Sequence, residues 1–248
     1  MLPKKKWGQN FLRNRGAVEK IVAAVEPQPG ETIVEIGPGE GVLTERLLTL
    51  GNEVTAIEID PELAARLRER FGDVVVNDDA LTAPLPTRPF RAVGNLPYNI
   101  GTPILRRVIA DPNFRRAVFM LQKEVADRLV AKPGDDPYGY LTLYRQLFAS
   151  ARILMKLDPG SFHPRPKVRS AVVVLDPERK PYASEAFIDL ISTSFRMRRK
   201  KLVNNLTGWR GRTRDEAAAI MARANIDPNA RAEELSLDDF VRLLSAIG

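Results

Sequence analysis

Residues 32–58 constrain the fold of this chain more than any other stretch. Thr32-Ile33-Val34-Glu35-Ile36 is a short apolar run, and Gly37-Pro38-Gly39-Glu40-Gly41 follows at once. The apolar periodicity of Val42 to Leu50 then predicts a helix. Strand, glycine-rich turn and helix in that order form the opening unit of a parallel α/β sheet. Glycines let the backbone approach a ligand closely, and the helix start offers free N–H groups. The G-x-G-x-G spacing differs from the G-x-G-x-x-G of pyrophosphate binders, so a ligand without phosphates fits better. A second strand, Glu53 to Ile57, ends in Glu58, which lies 21 residues after Gly37. An acid at that place can accept hydrogen bonds from both hydroxyls of a ribose.

Strand and helix patterns keep alternating beyond this unit. Helices are expected over 15–25, 61–71, 102–109, 123–131 and 140–150. Strands are expected over 74–77, 91–94, 115–121, 151–157 and 170–175. Such alternation implies a mostly parallel sheet covered on both faces. The third strand runs into Asp78-Asp79-Ala80-Leu81, and Asp79 is the acid expected to accept from an adenine N6 amine. Residues 132–139 form a loop. The stretch 161–168 holds two prolines at alternate positions and is expected to be an extended, rigid loop that presents Phe162. Composition shifts at 176–182, and only helical patterns follow. Domains are therefore expected over 1–178 and 179–248. Thr213 and Glu216 form a capping box, and Ser236 caps the last helix.

Strand four leads into Asn95-Leu96-Pro97-Tyr98. Asn95 carries a carbonyl and an amide on one plane. Pro97 has no N–H and a fixed φ, so the strand ladder cannot continue. The carbonyls of Leu96 or Pro97 are then free to face a ligand, and Tyr98 supplies a flat ring. These groups suit a planar base with an exocyclic amine. The tetrapeptide resembles the motif of amino-group methyltransferases that use S-adenosylmethionine.

The chain has no cysteine and a single histidine, His163. Thiolate chemistry is excluded, and neither a zinc site nor a Ser-His-Asp triad is expected. No metal site is expected at all. Lys and Arg number 38 against 31 Asp and Glu, a net charge of +7. The basic residues cluster at 4–6, 106–107, 115–116, 196–201 and 210–214, which suits a polyanion. No apolar run approaches a membrane span, and Met1 to Lys6 lacks the apolar core of a signal peptide. A cytoplasmic location is expected.

Taken together, the chain resembles the ribosomal RNA adenine N6-dimethyltransferases, most closely the bacterial small-subunit type. The resemblance rests on Gly8-Gln9-Asn10-Phe11-Leu12, Glu35 to Gly41, Glu58, Asp79-Ala80 and Asn95 to Tyr98. It also rests on Phe162 to Val168, and on Arg198-Arg199-Lys200 followed by Asn204-Asn205-Leu206. It implies a Rossmann-like class I methyltransferase sheet of seven strands with a small all-helical C-terminal domain that binds RNA. It implies transfer from S-adenosylmethionine to two adjacent adenosines near the 3′ end of 16S rRNA, in a small-subunit precursor. The cofactor set expected on this basis is Gln9, Asn10, Leu12, Gly37, Gly39, Glu58, Ile59, Asp79, Ala80 and Asn95. Asn95, Leu96, Pro97, Tyr98 and Phe162 are expected around the target base. Lys5, Lys6, Arg165, Lys167, Arg198, Arg199 and Lys200 are expected against the RNA. His163 is expected to be structural. The chain is expected to act as a monomer without a protein partner. Two other readings are a 23S rRNA adenine N6-methyltransferase conferring macrolide resistance, and a non-catalytic RNA-binding factor on the same fold.

Overall fold

The computed structural model describes residues 9–247. Lys5 and Lys6, expected at the RNA, lie outside the described residues. Two compact units emerge. The first runs to Ala126 and resumes over Ala151–Pro177; the second comprises Asp127–Ser150 and everything from Glu178 onward.

In the first unit the chain passes through β1 (Phe11–Leu12), α1 (Arg15–Val25), β2 (Thr32–Ile36), α2 (Val42–Leu47), β3 (Glu53–Glu58) and α3 (Pro61–Phe71). It continues through β4 (Val75–Asn77), β5 (Phe90–Asn95), α4 (Gly101–Ala110) and β6 (Phe114–Gln122). After α5 (Lys123–Val130) and α6 (Tyr140–Phe148) come β7 (Ala149–Leu157), β8 (Phe162–His163) and β9 (Ser170–Pro177). The large sheet has seven strands in the order β4-β3-β2-β5-β6-β9-β7. Pairing is parallel from β4 to β6, and β9 runs antiparallel to β6. The α/β sheet is thus mixed at one side, where β9 inserts between β6 and β7.

β2 sits between β3 and β5, so the chain winds outward in one direction and then restarts in the other. The carboxyl ends of β2 and β5 therefore flank a topological switch point, where α/β sheets open a crevice. β2 is buried along its whole length, as a strand covered on both faces must be. Leu12, Val18, Ile21, Ile33, Val93 and Phe162 belong to one buried apolar cluster beneath this edge. The two-residue β1 pairs with β8, with Phe11 opposite His163 and Leu12 opposite Phe162. Arg13 N–H extends this ladder to the Ser161 carbonyl at 2.8 Å. No sequence pattern announced that ladder.

The second unit corrects the expected single boundary at 178. Residues 127–150 pack with the C-terminal helices because their aromatic side chains find their partners there. Tyr138 is fully buried, its hydroxyl donates to the Leu235 carbonyl at 2.7 Å, and its ring meets Phe195 edge-on at 6.2 Å. Glu178 and Lys180 N–H donate to the Phe148 and Leu147 carbonyls at 2.9 and 2.8 Å. Here α7 (Glu185–Ser194), α8 (Leu202–Leu206), α9 (Arg214–Arg223) and α10 (Leu237–Ile247) complete the unit. The Thr213–Glu216 capping box forms as expected.

The basic segment after Phe195 is not helical. Residues 195–199 form turns and Lys200 a bend. Asn205, buried at 4% exposure, accepts from Met197 N–H at 2.9 Å and donates to its carbonyl at 3.3 Å. A buried amide that matches the backbone in this way offers an alternative to helical pairing. Arg198 donates to the Asp136 carbonyl at 2.6 Å, so it ties the 132–139 loop down. Arg199 and Lys200 are exposed.

Candidate active site

Four strand ends deliver the site. Ile36 is aligned with Ile57 on one side and Gly94 on the other, and Glu58 is aligned with Asn77. The chain therefore leaves one sheet edge into the glycine turn, into Glu58-Ile59, into Asp78-Asp79-Ala80 and into Asn95-Leu96-Pro97-Tyr98. With Gln9, Asn10 and Phe11 these segments line one cleft.

The glycine turn is closely fitted. Gly37 and Gly39 have φ of +68° and +59°, a region that side chains other than glycine rarely adopt. A Cβ on Gly39 would sit 2.9 Å from the Phe11 ring. Glu58, 5% exposed, faces this turn. One of its carboxylate oxygens accepts from Gly39 N–H at 3.1 Å, and the other from Asp60 N–H at 2.9 Å. Burial pushes the Glu58 pKa up, against those hydrogen bonds. With about four acceptor sites on its two oxygens, the carboxylate keeps capacity for a ligand. Gln9 donates to the Asp60 carboxylate at 3.1 Å, and Asp60 caps α3 through Glu62 N–H.

The third wall is pinned from behind. The Asp79 carboxylate accepts from Leu81 N–H at 2.9 Å, and the Asp78 carboxylate from Asp79 N–H at 2.7 Å. Arg107 of α4 donates to the carbonyls of Ala80 and Ala83. Sequence reading gave Arg107 no role beyond basic charge.

On the fourth wall, the Asn95 amide nitrogen donates to the Asn10 carbonyl at 2.6 Å. A carbonyl accepts only a donor, so the Asn95 amide oxygen faces the other way. Leu96 N–H donates to the Met120 carbonyl at 3.1 Å, which ends the pairing of β5 with β6. The two carbonyls left open by sequence are now distinguished. The Pro97 carbonyl accepts from Ile100 and Gly101 N–H at 3.2 and 2.7 Å. The Leu96 carbonyl has no donor among the described residues. Tyr98 lines the same cleft.

Most of the expected site residues therefore meet in one place: every cofactor residue except Leu12, and the whole of Asn95 to Tyr98. Leu12 and Phe162 lie in the core at 5% and 3% exposure. The β1–β8 ladder turns the Phe162 ring inward, which corrects the expectation that its loop presents it. Arg165 and Lys167 are exposed on the loop after β8. His163 is exposed and precedes a cis proline, Pro164. Phe11, Leu63, Ile100 and Ile104 supply apolar lining.

Beneath the turn, Glu35 is 1% exposed and accepts from Thr44 Oγ1 at 2.6 Å through one oxygen. Its other oxygen has no partner among the described residues. Burial, and secondarily the charge of Glu58, pushes its pKa from 4.5 to about 7. Across that window the folded chain keeps a proton that the unfolded chain has released, so stability falls as pH rises. Glu35→Gln removes this dependence. Its stability relative to the parent should grow by about 3 kcal/mol from pH 4.5 to pH 8, measured by urea unfolding. Parallel pH curves for the two proteins contradict the assignment.

A seven-stranded α/β sheet of this strand order, with a cleft at its switch point, has the class I methyltransferase fold. The chain superposes on a dimethyladenosine transferase from Plasmodium falciparum with a TM-score of 0.81, at 26% identity over 94% of this chain and 95% of that one. It superposes on the 23S rRNA methyltransferase ErmE with a TM-score of 0.71, at 30% identity over 96% and 99%. The sequence profile of the family "Ribosomal RNA adenine dimethylase" matches residues 2–247. The ribosomal RNA small subunit methyltransferase A of Methylococcus capsulatus is 46% identical over 98% of this chain and 96% of its own length. The protein of the same name from Hahella chejuensis is 41% identical over 97% and 91%. The chain belongs to the ribosomal RNA adenine dimethylase family and is a methyltransferase.

Proposed function

We propose that the enzyme transfers methyl groups from S-adenosylmethionine to N6 of two adjacent adenosines near the 3′ end of 16S rRNA, in a small-subunit precursor. The observation that carries this is the rim of the cleft. The Leu96 carbonyl, which has no donor among the described residues, and the Asn95 amide line the cleft together with Tyr98, Glu58 and the glycine turn. The small-subunit assignment follows the relatives at 37–46% identity, all of that name.

The cleft fits the cofactor. Gly37 and Gly39 hold the turn at positive φ, Glu58 offers lone pairs for a ribose, and Ile57, Ile59 and Leu63 offer apolar surface for an adenine. Bound there, S-adenosylmethionine supplies an electrophilic methyl group on a charged sulfur. The protein's task is the amine, whose lone pair is delocalised into the adenine ring. By accepting from N6–H, the Asn95 side chain and Leu96 carbonyl favour a tetrahedral nitrogen. Tyr98 stacks on the extruded base. Positioning accounts for much of the rate, and once methylated the cationic nitrogen sheds its proton to solvent. Arg165, Lys167, Arg199 and Lys200 are the exposed cations assigned to RNA phosphates. A substrate of this kind implies a cytoplasmic location. No described helix is long and apolar enough to cross a membrane.

Incubating the protein with S-adenosylmethionine and unmethylated ribosomal RNA, followed by mass spectrometry of nuclease fragments, tests the reading. Dimethyladenosine in the 16S fragment supports it. Modification confined to 23S rRNA transfers the assignment to the second reading, which the likeness to ErmE favours. Glu58→Ala tests the ribose role separately. Calorimetry should show cofactor affinity falling about 10- to 150-fold, the equivalent of ~1.5–3 kcal/mol for a hydrogen bond to a charged group. In the parent, affinity should also weaken as pH falls through the raised pKa of Glu58. Normal affinity in the variant rejects the role.

A further inference from the structure

The Tyr98 and Ser170 hydroxyls share a hydrogen bond of 2.7 Å. Ser170 is fully buried and is the first residue of β9, aligned with Gln122 of β6. The preceding carbonyl, of Arg169, accepts from Lys123 N–H at 2.9 Å. The backbone that carries this hydroxyl is therefore fixed by the sheet. At the other end of the ring, the backbone of Tyr98 lies in the turn that the Pro97 carbonyl closes with Ile100 and Gly101. The ring is held at its Cα by a turn and at its phenol oxygen by a strand. A phenylalanine here would keep only the first restraint and could swing about its side-chain torsions.

That matters for a surface meant to stack on a base. Stacking yields its ~1–3 kcal/mol only when the two planes meet face to face, and the amine must sit within a few tenths of an ångström of its attack position. Burial raises the Tyr98 pKa, so its hydroxyl stays protonated at neutral pH. We propose that Ser170 is a positioning residue that sets the plane of the Tyr98 ring against which the target adenine stacks. This rests on the adenine N6 reading above.

Tyr98→Phe and Ser170→Ala each delete one half of the same bond. In single-turnover methylation of small-subunit RNA at saturating S-adenosylmethionine, each should slow transfer about 3- to 10-fold. The double variant should be no slower than either single one. RNA carrying 2-aminopurine at the target position should be quenched on binding the parent and less quenched on binding either variant. Cofactor affinity and melting temperature should stay near the parent's. Additive losses, an unchanged rate in Ser170→Ala, or losses confined to melting temperature or cofactor affinity overturn the proposal. A parent enzyme that leaves adenosine N6 unmodified overturns the functional reading itself, whereas an active parent with independent variants overturns the Ser170 role alone.

Discussion

Replacing Asn95 with alanine should slow single-turnover methyl transfer by about 30- to 900-fold, or ~2–4 kcal/mol, if an oriented acceptor here matters as much as an oxyanion-hole donor does elsewhere. Cofactor binding should change far less, because Glu58 and the glycine turn are untouched. The Asn95 amide nitrogen is committed to the Asn10 carbonyl, so the amide oxygen is aimed before any substrate arrives. Asn95→Asp offers a sharper comparison. It keeps an acceptor but sets a carboxylate oxygen against the Asn10 carbonyl, which repels it. Both variants should be slow. A normal single-turnover rate in Asn95→Ala rejects the catalytic role of this side chain.

Gly94→Ala should be the most destabilising single-methyl change at this edge. A Cβ there would lie 2.3 Å from the Ile36 carbonyl oxygen and 3.2 Å from its carbon. Both are backbone atoms of the paired strand, so no rotamer relieves the clash. The strands must part, at about 3 kcal/mol or more, and the melting temperature should fall by roughly 6–12 °C. The separation falls between Gly37 and Asn95, so cofactor affinity should fall as well. Gly160→Ala is the control, because its added Cβ would meet nothing within 4 Å. A Gly94→Ala protein that melts with the parent contradicts the register of β2 against β5.

The cleft was largely legible in the sequence because its parts are short-range signals with a backbone cause. Gly37 and Gly39 need positive φ, and Glu58 lies one helix and one strand away at a distance the fold sets. Asn95 to Tyr98 reads as a strand that cannot continue. What stayed hidden depends on distant partners. A two-residue ladder has no periodicity, so nothing near Phe11 points to His163, and nothing near Phe162 says that its ring turns inward. The segment after Phe195 has helical spacing, but a single buried amide, Asn205, competes for its backbone. The choice of Leu96 over Pro97 as acceptor depends on which carbonyl the next turn consumes. Ser170 could not be read at all, since its partner is on another strand end.

The interleaving of the two units sets an order on biosynthesis. As the nascent chain lengthens, β7 is made before β9, yet β9 is the strand that separates it from β6. Tyr138 likewise waits for Phe195 and Leu235. Neither core can close when its own first half emerges, so the aromatic stretch from Tyr138 to Phe148 spends part of translation without its final neighbours. The glycine turn and its carboxylate, by contrast, are close in sequence and can settle early.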